Sequence, residues 1–294
     1  MRINRLCGWC VLAMLPALSG CLVHHRTVLR VDMAQGVQSA SVDQLVTSVN
    51  TLYDGVNSMN ATVTIAASVG GGATGNETDY DPLSGYILMR KPADMRVLML
   101  VPVLHTRAID MVSDGTNFKM LIPPKNRAIE GTETVTTPSK NPLENLRPHI
   151  FLESLLPRGV SKDELVSLTS DTQIQMSDKG KHATAIPDYD LNILRPKGNS
   201  NELETLRVIH INRVTLLPYQ QDIYDEQGRL ATQAMYDQYQ DFGGLKFPTS
   251  MTIRRPLDDL QIKLTVQKLT VNQKMEDDQF ELKIPANTTI QKME

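Results

Sequence analysis

"KPADMRVLMLVPVLHTRAIDMVSDGTNFKMLIPPKNRAIEG", Lys91 to Gly131, decides the fold. It falls into short runs rich in Val, Ile, Leu and Met: "MRVLMLVP", "TRAIDMVSDG", "NFKMLIPP" and "RAIEG". Each is bounded by Pro, Gly or Asp, the punctuation of β-hairpins, so neighbouring strands are expected to pair antiparallel. In "MRVLMLV" only Arg96 interrupts the apolar run, so both strand faces are apolar in places. Core packing accounts for part of that pattern, and an apolar cavity for the rest.

The same pattern extends both ways. Upstream lie "ATVTIAAS", a glycine-rich "GGGATGNE" and "SGYILMRKP". The glycine-rich stretch lacks the G-K-[ST] ending of a phosphate cradle and leads into no helical pattern, so it reads as a loop. Downstream, strands are expected in "ATAIPDYDLNILRP", "TLRVIHINRV", "PYQQDIYDEQG", "LATQAMYDQYQDF", "KFPTSMTIRRP", "LQIKLTVQKLTV" and "FELKIP", with turns at "DEQG" and "DFGG". The total is eleven or twelve strands. A flat sheet of that size conflicts with strand twist. The expected fold is therefore mainly β (α+β): a single curved antiparallel sheet forming a half-open barrel, with helices covering its concave face.

Two helical segments interrupt the strands. Ser41 and Gln44 have the spacing of a capping box. Val42, Leu45, Val49, Leu52, Val56 and Met59 then follow at steps of three and four, which makes one apolar face. In "NPLENLRPHIFLESLLPRG", Leu143, Leu146, Ile150 and Leu155 fall at helical spacing, and Pro148 inside the segment implies a kink or two short helices. "SKDELVSL" reads as a further helical turn or two. The stretch around Asp178 to Gly198 reads as extra and polar.

The N-terminus carries a different signal. Arg2 and Arg5 precede an apolar run from Leu6 to Leu18, which ends in Ser19 and Gly20. This is the layout of a secretory signal peptide, and the run is shorter than the ~20 apolar residues of a membrane-spanning helix. The Cys7-Gly8-Trp9-Cys10 motif resembles a redox pair, but it lies inside the segment to be removed. Without Arg2 and Arg5 the chain keeps 28 basic residues against 33 acidic, and no basic footprint for nucleic acid stands out. Leu18-Ser19-Gly20-Cys21 resembles the lipobox of bacterial lipoproteins. The resemblance implies cleavage before Cys21, acylation of Cys21 and a lipid anchor. Leu22 follows where aspartate would favour the inner membrane, so it points to the periplasmic face of the outer membrane. Residues 1–20 are thus read as a lipoprotein signal peptide, 21–40 as a lipidated polar tether and 41–294 as the folded domain. Once Cys21 is acylated, the mature chain has no free thiol.

Taken together, the N-terminal helix, the Lys91–Gly131 stretch with its Asp114-Gly115 turn, Phe118, Asn126 and Gly131, the "LRPHIFLESLLP" segment and the late "YDQYQDFGGLKFPTSMTI" resemble the LolA/LolB superfamily of periplasmic lipoprotein carriers and receptors. Cys21 draws the chain towards the lipid-anchored LolB type, although it is considerably longer than typical members. The resemblance implies a half-open barrel whose apolar cavity binds acyl chains of lipoproteins or lipids, delivered by a soluble periplasmic carrier. It also implies an apolar loop that helps hand cargo to the membrane; by position this is "PVLH", with Val103 and Leu104 as candidates. The candidate cavity lining is Val97, Met99, Val101, Ile109, Met111, Phe118, Met120, Ile122, Ile150 and Leu155. Abundant Met and few aromatics suit an adaptable interior.

Catalytic patterns are not found. The chain shows no G-x-S-x-G elbow, no H-E-x-x-H and no P-loop. His24-His25 falls in the tether, and His105, His149, His182 and His210 are scattered singly. Asp258-Asp259 and Glu276-Asp277-Asp278 fall in turns. The expectation is a binding protein without enzymatic activity, cofactor or metal. The alternative is a structural or scaffold lipoprotein that binds another envelope protein.

Overall fold

The computed structural model describes residues 29–71, 75–134, 142–176, 182–198 and 200–293. The segment read as a signal peptide, Cys21 and His24-His25 lie outside the described residues. Helix α1 spans Val42–Asp54 and α2 spans Pro148–Leu155. The strands are β1 (Val31–Met33), β2 (Ser58–Gly70), β3 (Glu77–Arg90), β4 (Asp94–Leu100), β5 (Arg107–Ser113), β6 (Asn117–Ile122) and β7 (Arg127–Thr132). They continue as β8 (Leu165–Met176), β9 (Ala183–Pro196), β10 (Leu203–Asn212), β11 (Pro218–Tyr224), β12 (Leu230–Phe242), β13 (Leu245–Arg255), β14 (Leu260–Val271) and β15 (Thr289–Met293).

All fifteen strands belong to one large curved sheet that does not close. Its path runs β1-β9-β10-β11-β12-β13-β14-β2-β3-β4-β5-β6-β7-β15, and β8 flanks the other side of β9. From β9 to β7 every step is antiparallel, whereas β1 on β9 and β15 on β7 are parallel. The seam between the two halves of the chain is β2 against β14, in register from Val69↔Leu260 to Met59↔Val271.

Alternation places one set of side chains in the interior. Met95, Val97 and Met99 of β4 join Met111, Phe118, Met120 and Ile129 from β5 to β7, and Met251, Ile253, Ile262 and Leu264 from β13 and β14. A smaller cluster joins α1 to β9 and β10 through Leu45, Val49, Leu191, Ile193, Ile209 and Ile211.

Several expectations change. "SKDELVSL" is not helical: Leu165 opens the twelve-residue strand β8, and only its first residues pack towards α1. "FELKIP" does not pair as a strand. Phe280 ends a 3-10 turn, and Leu282 and Ile284 then pack on Val112, Leu121 and Ala128, on the face of β5–β7 opposite the large cluster. The two-sided apolar character of β5–β7 comes from this covering segment. The strand expected at 183–196 is β9, and because it pairs with three other strands this part of the stretch read as extra is integral to the sheet. Val31–Met33, within the segment read as tether, is strand β1. Pro148 sits in the first turn of α2, where its missing N–H leaves no hydrogen bond unmade, and a 3-10 turn at Pro142–Asn145 precedes it.

Candidate functional site

The structure brings most of the expected lining residues together. Val97, Met99, Met111, Phe118, Met120, Ile150 and Leu155 are buried in one cluster, and Ile109 and Ile122 pack at its margin. Val101 is half-buried at the end of β4. These side chains are buried against one another. A cavity of about 240 Å³ opens elsewhere, beside β10 and β11, and its wall includes Glu153, Arg158, Asp163, Glu164 and Arg207. It is a charged cleft.

Helix α2 reaches across the interior. It approaches β4 and β5 on one arm of the sheet and β12 on the other. Ile150, Phe151 and Leu155 point into the large cluster, and Ser154 is also fully buried. The residue before the helix, Arg147, is 1% exposed. Its guanidinium lies 4.1 Å from the centre of the Phe118 ring. Nε donates to the Thr132 carbonyl (3.2 Å), and Nη1 to those of Glu144 (2.8 Å) and Leu146 (3.2 Å). Among the described residues Nη2 has no partner, and neither do Glu133 Oε1, Ser154 Oγ and Tyr236 OH. Buried polar groups normally find partners, so four orphans around one short helix are unusual. Burial lowers the pKa of Arg147 against the opposing pull of Glu133. Burial also pushes the Tyr236 hydroxyl well above its ordinary value. Glu133 Oε2 is 2.5 Å from His149 Nδ1. No sequence motif marked this polar group. The available signal was an arginine and a histidine, Arg147 and His149, either side of Pro148 and next to the apolar run Ile150–Leu152.

The "PVLH" loop is held by three backbone hydrogen bonds: Val101 N–H to Thr106 O (2.7 Å), Leu104 N–H to Pro102 O (2.7 Å) and His105 N–H to Val101 O (3.0 Å). Val103 has φ +69°, a left-handed conformation that a β-branched side chain rarely adopts and that costs on the order of 1–3 kcal/mol. Val103 and Leu104 are 89% and 71% exposed. The loop thus presents two apolar side chains to solvent on a constrained backbone.

Two glycines of the Lys91–Gly131 stretch have physical reasons. Gly115 has φ +88° in the β5–β6 turn, where Asp114 Oδ1 accepts from Thr116 N–H (2.9 Å) and Asn117 N–H (2.8 Å). Those donors hold the Asp114 carboxyl below its ordinary pKa. A Cβ on Gly131 would lie 2.1 Å from the Met293 carbonyl oxygen, so β15 can pair with β7 only beside a glycine here.

The remaining histidine with a strong environment is His210. Nδ1 lies 2.6 Å from Asp190 and Nε2 3.4 Å from Asp222, on the sheet face opposite α1. Burial disfavours its charge, but the two carboxylates outweigh that and raise its pKa. Asp258 pairs with Arg255 at 2.5 Å, and Glu276 caps the 3-10 turn at Asp277–Phe280. Among the described residues no group of three His, Cys, Asp or Glu side chains is arranged to hold a metal ion.

No family model matches the sequence. No curated protein matches it either. Several solved structures resemble it. A LolA superfamily protein from Nitrosomonas europaea is 13% identical, with a TM-score of 0.51 over 83% of this chain and 99% of its own. A DUF1329 family protein from Desulfovibrio piger is 15% identical, with a TM-score of 0.47 over 82% of this chain and 95% of its own. A domain described as an outer membrane lipoprotein-sorting protein, from Vibrio parahaemolyticus, is 12% identical, with a TM-score of 0.48 over 82% and 97%. Of these three the first exceeds 0.5, and at 13% identity that likeness is one of fold alone.

Proposed function

We propose that the protein is an envelope lipoprotein of the LolB type, anchored through acylated Cys21 at the periplasmic face of the outer membrane. It binds acyl chains of lipoproteins or lipids beneath α2 and passes them on to the membrane. The observation that carries this reading is the character of α2. Its inner face is apolar and spans both arms of the sheet, yet the polar atoms around it are incompletely paired. Each orphaned polar group carries a desolvation penalty of about 1–3 kcal/mol, which is relieved when the helix lifts. An acyl chain entering below would replace the contacts of Ile150, Phe151 and Leu155 with Phe118, Met111 and Met120. The driving force is removal of apolar surface from water, roughly 25 cal/mol per Å². No covalent step is needed, and no catalytic or cofactor role is assigned. On this reading the helices cover the concave face, the packed interior is the closed state, and Val103 and Leu104 handle cargo at the rim.

Native mass spectrometry of the chain purified gently from a bacterial envelope tests this. A bound lipid or acylated peptide is the expected result. A bare mass that persists after incubation with lipids and acylated lipoproteins overturns it. Leu104→Glu is expected to fold normally and to slow acyl-cargo transfer; unchanged transfer removes the loop assignment.

A scaffold lipoprotein is the second reading. It is favoured by the mutual burial of the expected lining residues. A bare mass would leave it standing.

A further inference from the structure

The corner where the N-terminal segment joins the sheet exposes an apolar surface of its own. Val31 of β1 and Met176 of β8 flank Ala183 of β9 in register, and Met33 and Ile174 flank Ala185 in the next row of the same face. The four large side chains are between 44% and 64% exposed, and Leu29 and Val37 beside them are also exposed. The flanked alanines are buried, so the corner is a shallow apolar shelf with raised sides. The chain that enters it, from Leu22 to Val31, contains Arg26 and Arg30 and no acidic residue.

Topology fixes where this shelf lies relative to the "PVLH" loop. Strand direction alternates at each step from β9 to β5, so the β4–β5 loop falls at the end of the sheet opposite Ala183. Cys21 stands ten residues before Val31, a reach of at most ~35 Å. The fourteen residues of β9 span ~46 Å. The anchor therefore holds the shelf close to its bilayer and falls short of the far end.

We propose that this shelf is a membrane-contact surface. Val31, Met33, Ile174 and Met176 rest in the interface of the bilayer that holds Cys21, and the Val103–Leu104 loop stands away from it, towards the side from which cargo arrives, so the loop takes cargo in and does not itself hand it to the bilayer as the resemblance implies. The inference rests on the anchor assigned to Cys21. A lipid surface is the occupant because the tether keeps it within reach of the shelf at all times. The acylated Cys21 supplies the attachment, and an apolar protein surface beside it fixes how the domain is oriented on the bilayer.

The test uses the mature lipidated protein in vesicles of phosphatidylethanolamine and phosphatidylglycerol with nitroxide-labelled acyl chains. Intact mass first establishes acylation; an unmodified Cys21 overturns the inference and leaves acyl binding to be judged by its own assay. An environment-sensitive fluorophore is then placed through Met176→Cys, through Met33→Cys as an independent shelf position, and through Leu104→Cys. The expected result is a blue shift and roughly twofold quenching by the labelled lipid at both shelf positions, with Leu104→Cys unchanged. Quenching at Leu104→Cys without quenching at the shelf overturns the proposal and leaves the acyl-carrier reading intact. Shelf fluorophores that are shielded by a second copy of the chain, and not by lipid, overturn it as well.

Discussion

The two helices show opposite designs. In α1 the start of the helix and its buried face are both held in place. Ser41 Oγ accepts from Gln44 N–H at 3.3 Å, and Gln44 Oε1 accepts from Ser41 N–H at 2.8 Å. Leu45 and Val49 sit in their own cluster. Asn50 bonds both the N–H (2.7 Å) and the carbonyl (3.3 Å) of Val160, which ties the helix to the segment leading into β8. Beside it Arg207 grips both oxygens of Glu164 at 2.8 Å, and among the described residues its Nε is the one orphan on this side. Helix α2 has eight residues, no side-chain cap and four orphaned atoms in its surroundings. On the proposed reading α2, with its unmet polar groups, is the element that lifts, although it buries more of its length than α1 does.

The strongest way to break this comparison is at the α1 side. Arg207→Met leaves the Glu164 carboxylate buried without its main partner. We expect a loss of about 3 kcal/mol in denaturant unfolding; a loss under about 1 kcal/mol would mean that this side is not the rigid one. Ser41→Ala removes the α1 cap and should cost about 1 kcal/mol by the same measurement.

His210 gives a pH-dependent check. Its folded pKa is raised above the unfolded value of ~6.5, so its stabilisation is fully present below that pH and is lost as pH rises through the folded value. The stability gap between wild type and His210→Gln should be widest near pH 5.5 and shrink in alkaline buffer, as read from urea midpoints. A gap that widens with pH would contradict the geometry. The smallest effect has the opposite sign. Ser154→Ala removes an unpaired buried hydroxyl from α2 and should leave stability unchanged or raise it by up to about 1 kcal/mol. A clear loss would show that α2 is as well satisfied as α1.

What the sequence reveals follows burial. Helix α1 is legible because its cap and its apolar stripe coincide. Strands β4 to β7 and β10 to β14 are legible because their faces are buried and turn residues separate them. Strands β1, β8 and β15 are not, and all three lie at the margins of the sheet. "SLTSDTQIQM" in β8 is exposed on most of its length, so no alternation was imposed on it. "FELKIP" alternates because Leu282 and Ile284 both meet a sheet face, yet it makes no ladder. Most of the candidate lining residues pack in one buried cluster because they alternate along β4 to β7, while the orphaned atoms of Arg147, Ser154 and Tyr236 depend on contacts between distant segments that no local pattern encodes.

The β2–β14 seam has a kinetic consequence. Its paired residues lie about 190 positions or more apart, so their encounter carries a large loop-closure entropy and slows folding. A chain emerging from its N-terminus can form the β2–β7 meander early, but β2 then waits with an unpaired edge until β14 is made. During that interval Ala61, Val63 and Ile65 sit on an open strand of thirteen residues, the kind of template that captures other chains. Nascent molecules are thus expected to depend on a holdase until the last quarter of the polypeptide arrives.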